Sequence, residues 1–214
     1  GHGNVNGIDL AYFDPALFTK EQIHEKRHIL GIAEDDFVFL FVGRIVSEKG
    51  IEELVNAFSE LHENILKVKL VLVGSFEREL DPIPYYIEEE IKKNPGIILA
   101  GFKGDVRPFF ALCNVFVLPS YREGFPNVVL QSGAMGKYSI VTDINGSNEI
   151  ITEGLNGTIV PIKDSEALKA AMMACLNAKT ENLKTNMNHR RIIQDKYEQR
   201  FVWSELLKEY QKLT

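Results

Sequence analysis

Six short apolar runs, separated by segments of helical periodicity, constrain the fold of this chain most strongly. Each run is almost continuously apolar rather than alternating, as is typical of parallel strands that are buried on both faces. Strands that alternate with helices predict an α/β domain, here a doubly wound, Rossmann-like parallel sheet with right-handed crossovers. The predicted strands are residues 37–42, 69–73, 97–100, 115–119, 139–142 and 158–160.

The segments between the predicted strands carry the signals of helices. Apolar residues recur at helical spacing from Ile51 to Leu61, and Ser47 is the predicted N-cap of that helix. The next helix is predicted to begin within 81–84, because proline is tolerated in a first helical turn, and to end at 94–96. Further helices are predicted at about 106–113, 127–135 and 148–152, from Asp164 to Leu176, and twice within 180–214.

Composition narrows the class of protein. A length of 214 residues suffices for one core, and we divide the chain into a hinge or linker segment at 1–20 and an α/β domain at 21–214. The net charge of −6 argues against nucleic acid as the main partner. No run approaches ~18 apolar residues, so no transmembrane helix is expected. Cys113 and Cys175 lie in apolar runs without motif spacing, so we interpret them as reduced core residues of a cytoplasmic protein.

A glycine turn and two cations follow the first predicted strand. Gly43 permits a tight turn, and Arg44 then lies at the carboxyl end of the strand, where such sheets bind ligands. Lys49 comes just before the next helix. Two fixed cations at one crevice suit a diphosphate, although the same residues could be solvated surface charges. Neither a Walker loop nor a GxGxxG motif is present, which argues against a dinucleotide cofactor.

The segment 121–127, Tyr-Arg-Glu-Gly-Phe-Pro-Asn, is a second candidate for ligand binding. It places Glu123 on a Gly/Pro turn just past the apolar run 115–119 and leads into an apolar helix that reaches Gln131. Helix N-termini expose unpaired N–H groups and a positive dipole end, so they bind anions. We therefore expect the strand, the turn and the helix to form a ligand crevice at one edge of the sheet.

Three other chemistries have weaker support. Residues 24–28 match the HExxH zinc-protease signature, but the helix is highly charged and no third ligand is evident. Asp143 and Glu149 could form an acid/base pair for glycoside hydrolysis. For nucleophilic catalysis, Ser132 lies outside any GxSxG elbow, and Cys113 has no activating neighbour in the sequence.

The ordered set of motifs resembles the C-terminal half of a GT-B glycosyltransferase of the retaining group called family 4. The resemblance covers roughly residues 4–178. It implies that this half binds a nucleotide-sugar donor and that a missing N-terminal half supplies the acceptor site. The matching pieces are, in order, residues 6–9 with 13 and 15, 42–44, 49–50, 71–74, 101–102, 117–120, 123–126, 141–143, 149–151 and 156–157.

The resemblance also implies roles for individual residues. Arg44 and Lys49 hold the diphosphate and stabilise it as the leaving group, and Glu123 contacts the donor sugar, so these three are the predicted catalytic residues. The turn 124–127 offers backbone N–H groups to the phosphate or the sugar, and the loop 102–103 contacts the base. The predicted substrate-binding residues are Gly43, Phe102, Lys103, Gly124, Phe125, Pro126, Asn127 and Gln131.

Gln131 departs from the family pattern. The second acid of the family's Glu-x7-Glu motif, which accepts hydrogen bonds from the ribose hydroxyls, falls on this glutamine. A glutamine carbonyl can still accept a hydrogen bond, but the side chain lacks charge and carries two donors. We expect weaker or altered ribose binding rather than loss of function.

The resemblance therefore implies a retaining, metal-independent transferase domain that moves a hexose-type sugar from a UDP-sugar or GDP-sugar to an acceptor in polysaccharide or glycolipid biosynthesis. No cofactor is expected, and this chain alone is expected to have little activity. Membrane contact, if it occurs, is expected to be peripheral and through the missing half. The alternatives are a nucleotide-sugar-binding module without catalysis and a nucleotide-sugar epimerase.

Overall fold

The computed structural model describes residues 7–178 and 186–212, with the backbone alone for 186–188. Its six strands form one parallel sheet in the order β3-β2-β1-β4-β5-β6. This is the doubly wound α/β arrangement that the apolar runs predict, and each strand lies within about one residue of its predicted position. The strands are β1 Phe37–Val42, β2 Val68–Val73, β3 Ile97–Leu99, β4 Val115–Leu118, β5 Tyr138–Thr142 and β6 Gly157–Val160.

The strand order reverses between β1 and β4, which are neighbours in the sheet although β2 and β3 separate them in the chain. In the pairing of these two strands, Phe39 lies opposite Val115 and Leu40 lies opposite Phe116. In open parallel sheets the loops on the two sides of such a reversal diverge and leave a crevice at the carboxyl ends of the strands. The fold therefore places a crevice beyond Val42 and Leu118.

Helices cover both faces of the sheet. Capping residues mark the start of α7 and the end of α3. The carboxylate of Asp164 accepts a hydrogen bond from the backbone N–H of Ala167 at 2.8 Å and caps α7, which begins within one residue of its predicted start. Asn94 ends α3, as predicted. The helices are α1 Lys20–Ile29, α2 Ile51–Asn64, α3 Tyr85–Lys93, α4 Arg107–Leu112, α5 Asn127–Ala134, α6 Ser147–Ile150, α7 Ser165–Asn177, α8 Asn186–Tyr197 and α9 Gln199–Lys212, with 3-10 turns at Pro15–Leu17 and Ser47–Lys49.

Two helix starts differ from the predictions. Ser47 does not cap α2, because it begins the separate 3-10 turn Ser47–Lys49 and its hydroxyl donates to the Pro82 carbonyl. Gly50, with a left-handed φ of 67°, occupies the N-cap position of α2. The helix predicted to begin within 81–84 begins only at Tyr85, since Asp81 and Pro82 use polar groups to bind the 3-10 turn. Both errors come from contacts between segments that are distant in sequence.

The core lies between the sheet and the helices that flank it. Side chains of the central strands β1, β2 and β4 are almost all fully buried. Cys113 and Cys175 are both free thiols and both buried, which confirms the interpretation that they are reduced core residues. Burial raises the pKa of the Cys113 thiol to about 11 and that of Cys175 to about 12.

The C-terminal part of the chain returns to pack on α5. Gly133 of α5 permits this approach, because a Cβ atom there would lie 2.5 Å from the side chain of Ile193 on α8. Arg190 of α8 donates to the carbonyls of Leu10, Phe13 and Ala134, and so ties the N-terminal segment to the end of α5. The two helices predicted within 180–214 are confirmed as α8 and α9, whereas residues 180–185 and 213–214 lie outside the described residues. The interdomain role of 1–20 stays a prediction, and its residues 1–6 are likewise outside the description.

Among the residues that the structure describes, no helix combines the length and the apolar composition needed to cross a membrane.

Candidate functional site

The crevice begins where β1 and β2 end. Gly43 and Gly74 follow these strands and let the two turns approach each other closely. The N–H of Gly43 donates to the Val73 carbonyl at 3.0 Å, which extends the ladder of the two strands by one step. Gly74 then approaches so closely that a Cβ atom would lie 1.8 Å from the Gly43 carbonyl oxygen. A side chain cannot occupy that space, so both turns can present backbone directly to a ligand.

A cavity of about 260 Å³ opens beside these turns. Phe102 is three-quarters exposed (75%) in the loop after β3 and stands at this cavity with Lys103. The structure thus brings together four of the predicted site residues, Gly43, Arg44, Phe102 and Lys103. The full lining is Val42, Gly43, Arg44, Val73, Gly74, Ser75, Phe102, Lys103 and Val106. An apolar floor with an exposed aromatic ring and one ammonium group suits a flat heterocycle that carries carbonyl acceptors.

The second half of the site is an ion pair between two turns. The Lys49 ammonium lies 2.6 Å from a carboxylate oxygen of Glu123. The two side chains are only 13% and 17% exposed. Lys49 ends the 3-10 turn after β1, and Glu123 lies in the turn after β4, so the pair spans the crevice at the reversal of strand order. The structure therefore brings together two of the three predicted catalytic residues.

Arg44 joins the cavity to this charged region. Its guanidinium binds Glu77 at 3.0 Å and Glu48 at 2.9 Å. Glu48 in turn accepts a hydrogen bond from Nε of Arg122 at 2.9 Å, and Nη2 of Arg122 lies 2.9 Å from the same oxygen as an ion pair. The hydrogen bond with Glu77 raises the pKa of Arg44, and the hydrogen bond with Arg122 is the leading cause of the lowered pKa of Glu48. Glu77, Arg44, Glu48 and Arg122 thus form a chain of alternating charges, and the Lys49–Glu123 pair is a separate ion pair at the same crevice.

This charge cluster, defined as Arg44, Glu48, Lys49, Glu77, Arg122 and Glu123, has a chemical consequence. Each cation has a carboxylate partner, so an anion that enters must compete with those partners. A diphosphate can do so because it carries more charge and more acceptor oxygens than one carboxylate. The side chain of Arg44 is 47% exposed and is open to such an exchange.

The turn 124–127 leads directly into α5, and its packing fixes the start of that helix. A Cβ atom on Gly146 would lie 2.8 Å from both the Gly124 carbonyl oxygen and the Pro126 ring, so the glycine lets the turn before α6 lie against it. The ring of Phe125 packs at 5.8 Å from that of Tyr197. Among the described residues, no side chain caps the first turn of α5. The Val129 N–H donates to the Pro126 carbonyl at 2.9 Å, which leaves the N–H groups of Asn127 and Val128 available to a ligand.

Known proteins are similar to this chain in sequence and in structure. A model of the family described as glycosyl transferases group 1 matches residues 22–193. This chain belongs to that family. CapM, a capsular polysaccharide biosynthesis glycosyltransferase of Staphylococcus aureus, is 32% identical over 210 residues, which cover 96% of this chain and 53% of CapM.

A second curated relative of this group 1 glycosyltransferase chain comes from Escherichia coli. It is named UDP-Gal:alpha-D-GlcNAc-diphosphoundecaprenol alpha-1,3-galactosyltransferase and is 29% identical over 189 residues, which are 88% of this chain and 48% of the relative. The chain therefore spans about half the length of these curated relatives.

Solved structures show the same fold. Anabaena HepE in complex with UDP matches with a TM-score of 0.85 at 19% identity, over 96% of this chain and 56% of that one. The C-terminal domain of LpcC, a group 1 family protein from Francisella tularensis, matches with a TM-score of 0.76 at 24% identity, over 90% of this chain and 99% of that one. The group 1 chain thus has the architecture of one half of a GT-B glycosyltransferase.

Gln131 lies on α5 and is half-buried. Within residues 7–178 and 186–212, its side chain has no hydrogen-bond partner, and only its backbone carbonyl is used, by the N–H of Met135. The structure does not join it to the charge cluster. Its predicted contact with a ribose stays a prediction.

The sequence did not identify half of the charge cluster. Glu48 follows Arg44 by four residues, a spacing at which a helical turn brings two side chains together, so this partner was readable in principle. Glu77 and Arg122 carried no such signal, because their contacts depend on how the loops after β2 and β4 fold. Ser75 and Val106 were likewise not assigned to the cavity that they line.

The described residues give no geometric support to the three other candidate chemistries. Nδ1 of His24, in the HExxH match, lies 2.8 Å from a carboxylate oxygen of Glu34, and α1 buries none of its residues. The described part of the chain contains no group of three or more His, Cys, Asp or Glu side chains that could hold a metal ion. Asp143 accepts a hydrogen bond from Asn148 at 3.0 Å. The raised pKa of the Cys113 thiol disfavours the thiolate that a nucleophile requires.

Proposed function

We propose that this chain is the donor-binding half of a retaining glycosyltransferase that moves a hexose-type sugar from a UDP-sugar to an acceptor in polysaccharide or glycolipid biosynthesis. The observation that carries the proposal is the adjacency of the cavity at Phe102 to the charge cluster, with Arg44 common to both. A cavity for a heterocycle beside convergent cations matches the base and the diphosphate of one nucleotide.

The choice of UDP rests on named relatives and on the cavity. The Escherichia coli relative is named for a UDP-Gal donor, and Anabaena HepE was solved with UDP and with UDP-glucose. Lys103 offers hydrogen-bond donors and no acceptors, which suits the carbonyl oxygens of uracil. A GDP-sugar is the alternative donor, since guanine also presents a carbonyl.

The proposed chemistry needs no group beyond the protein side chains. As the bond between the sugar C1 and the diphosphate oxygen breaks, its electron pair moves onto the diphosphate, and Arg44 and Lys49 stabilise the growing negative charge. Glu123 would be released from Lys49 by the incoming phosphate and would orient the sugar. The acceptor oxygen forms the new bond to C1 on the face that the diphosphate leaves, and its proton departs with the nucleotide. We propose this reaction as retaining and independent of metal.

The proposal is tested by measuring sugar transfer. The enzyme in this assay is the longer protein of which this chain would form the C-terminal half. That protein, incubated with radiolabelled UDP-glucose or UDP-galactose, bacterial membrane lipids and excess EDTA, should move the label into the lipid fraction, with the anomeric configuration of the donor kept in the product. An Arg44→Ala/Lys49→Ala variant should not. A label that stays in nucleotide-sugar isomers would instead favour the epimerase, and binding without any turnover would favour the binding module.

A further inference from the structure

Tyr121 follows β4 in the chain and directly precedes Arg122 of the charge cluster, and its hydroxyl binds a carboxylate of α2. It donates to the Glu53 carboxylate and lies 2.7 Å from each of its two oxygens. Glu53 is in the first turn of α2. Burial and this carboxylate together raise the pKa of Tyr121, so the phenol stays protonated and remains a donor. The ammonium of Lys163 lies 4.9 Å from the centre of the ring and covers one face of it.

The backbone on either side of Tyr121 is also bound to the turn that carries Lys49. The N–H of Tyr121 donates to the Glu48 carbonyl at 2.8 Å, and the Ser120 hydroxyl reaches the same oxygen at 3.2 Å. Gly50 lies so close to Pro119 that a Cβ atom on it would be 2.1 Å from the Pro119 carbonyl oxygen. The segment 119–123 therefore runs alongside 48–53, and the Tyr121–Glu53 contact is a side-chain anchor between them that lies outside the charge cluster.

From these contacts we infer that Tyr121 and Glu53 are positioning residues for Glu123, and that they act by holding the turn 121–127 against the start of α2. This inference rests on the proposed function, since it assigns Glu123 to the donor sugar. Neither residue needs to touch the donor. Lys49 has an independent support, because the N–H of Glu48 donates to the Asp81 carboxylate at 2.6 Å. Loss of the anchor should therefore displace Glu123 more than Lys49.

The chain contains a matched control for this pair. Tyr86 of α3 donates its hydroxyl to Glu52, the neighbour of Glu53 in α2, so the chemistry of the contact is the same. Within the described part of the chain, neither Tyr86 nor Glu52 has a hydrogen bond to the turn 121–127. The Tyr86→Phe and Glu52→Gln variants therefore remove a tyrosine–carboxylate contact of the same chemistry and keep the hydrogen bonds of the candidate site.

The test has two parts. Titration of the 214-residue chain and its variants measures their affinities for UDP and for UDP-glucose, and crystal structures of the variants measure the distance between Lys49 and Glu123. We expect Tyr121→Phe and Glu53→Gln each to weaken UDP-glucose binding by about tenfold, the effect of one lost hydrogen bond to a charged group, while UDP binding changes by less than about twofold. The double variant should be no weaker than either single variant, because both remove the same contact. The Tyr86→Phe and Glu52→Gln controls should bind both ligands like the unchanged chain.

The crystal structures separate this inference from the proposed function. In Tyr121→Phe the distance between the Lys49 ammonium and the Glu123 carboxylate should exceed the 2.6 Å of the unchanged chain by more than about 1 Å. An unchanged distance, or an equal loss of affinity for UDP and UDP-glucose, would overturn the positioning role. Absence of binding by the unchanged chain would count against the proposed function alone, since the distance would still decide the role of Tyr121.

Discussion

The Lys49 ammonium lies 2.6 Å from the Glu123 carboxylate, although the two residues are 74 positions apart in the sequence. One follows β1 and the other follows β4, so their meeting depends on the reversal of strand order between these strands. The pair shows how the doubly wound sheet assembles a charged site from two turns. Substitution of these two residues measures how much the pair contributes to the free energy of unfolding.

Removal of one member of this pair should destabilise the chain more than removal of both. Lys49→Met leaves the mostly buried Glu123 carboxylate without its cation, at an expected cost of about 1–3 kcal/mol in the free energy of unfolding. Lys49→Met/Glu123→Gln replaces the pair by neutral side chains of similar size and should recover at least half of that loss. Urea unfolding of the single and double variants measures both values. A double variant that is less stable than Lys49→Met would contradict this account.

Gly50 should tolerate no side chain. Gly50→Ala combines a left-handed φ of 67° with a Cβ position 2.1 Å from the Pro119 carbonyl oxygen, so we expect a loss of more than about 3 kcal/mol. Gly31 is the matched control, because it has a φ of 68° and nothing within 4 Å of its Cβ position. Gly31→Ala should therefore cost only the backbone strain, about 1–2 kcal/mol. Equal losses in thermal or urea unfolding would show that the contact with Pro119 is not a barrier.

Phe102 should matter to ligand binding and not to stability. Its ring is 75% exposed and lines the cavity, so Phe102→Ala removes little packing and should change the unfolding free energy by less than about 0.5 kcal/mol. If the ring stacks on the base, affinity for UDP should fall by about ten- to a hundredfold. Tyr85 is equally exposed (75%) but lies outside the cavity, and Tyr85→Ala should leave the affinity unchanged. A Phe102→Ala variant with normal affinity would exclude stacking.

The two cysteines should titrate and react only when the chain unfolds. Burial raises the pKa of Cys113 to about 11 and that of Cys175 to about 12, so neither forms a thiolate in the folded chain at pH 8. The folded pKa values exceed the unfolded value of about 8.5, so above that pH the thiols ionise more readily in the unfolded chain than in the folded chain. The two thiols therefore do not change the free energy of unfolding below about pH 8.5, and they lower it as the pH rises from there towards 11. A thiol reagent at pH 8 should label neither cysteine before urea is added and both afterwards. Fast labelling of the folded chain would contradict the burial.

Sequence patterns predicted the sheet better than they predicted the site. Apolar runs such as 37–42 identify buried strands without reference to the rest of the chain, and β1 has those bounds. The positions of Arg44, Lys49 and Glu123 at strand ends followed from the same pattern. The partners of these charges did not, because Glu77 and Arg122 reach the cluster through loop conformations. The failure of Ser47 to cap α2 has the same cause, since its hydroxyl binds the distant Pro82 carbonyl.

The central claim is that the crevice at Arg44 and Lys49 binds the diphosphate of a nucleotide. Calorimetric titration of the chain with UDP, GDP and ADP, without metal, tests it most directly. Arg78→Ala/Lys92→Ala is the matched control, because it removes the same two charges from the ion pairs of Glu88, which share no residue with the charge cluster. We predict that UDP binds to the unchanged chain and to this control, and that Arg44→Ala/Lys49→Ala lowers the affinity by at least about a hundredfold. UDP binding of equal strength in both double variants would contradict the account.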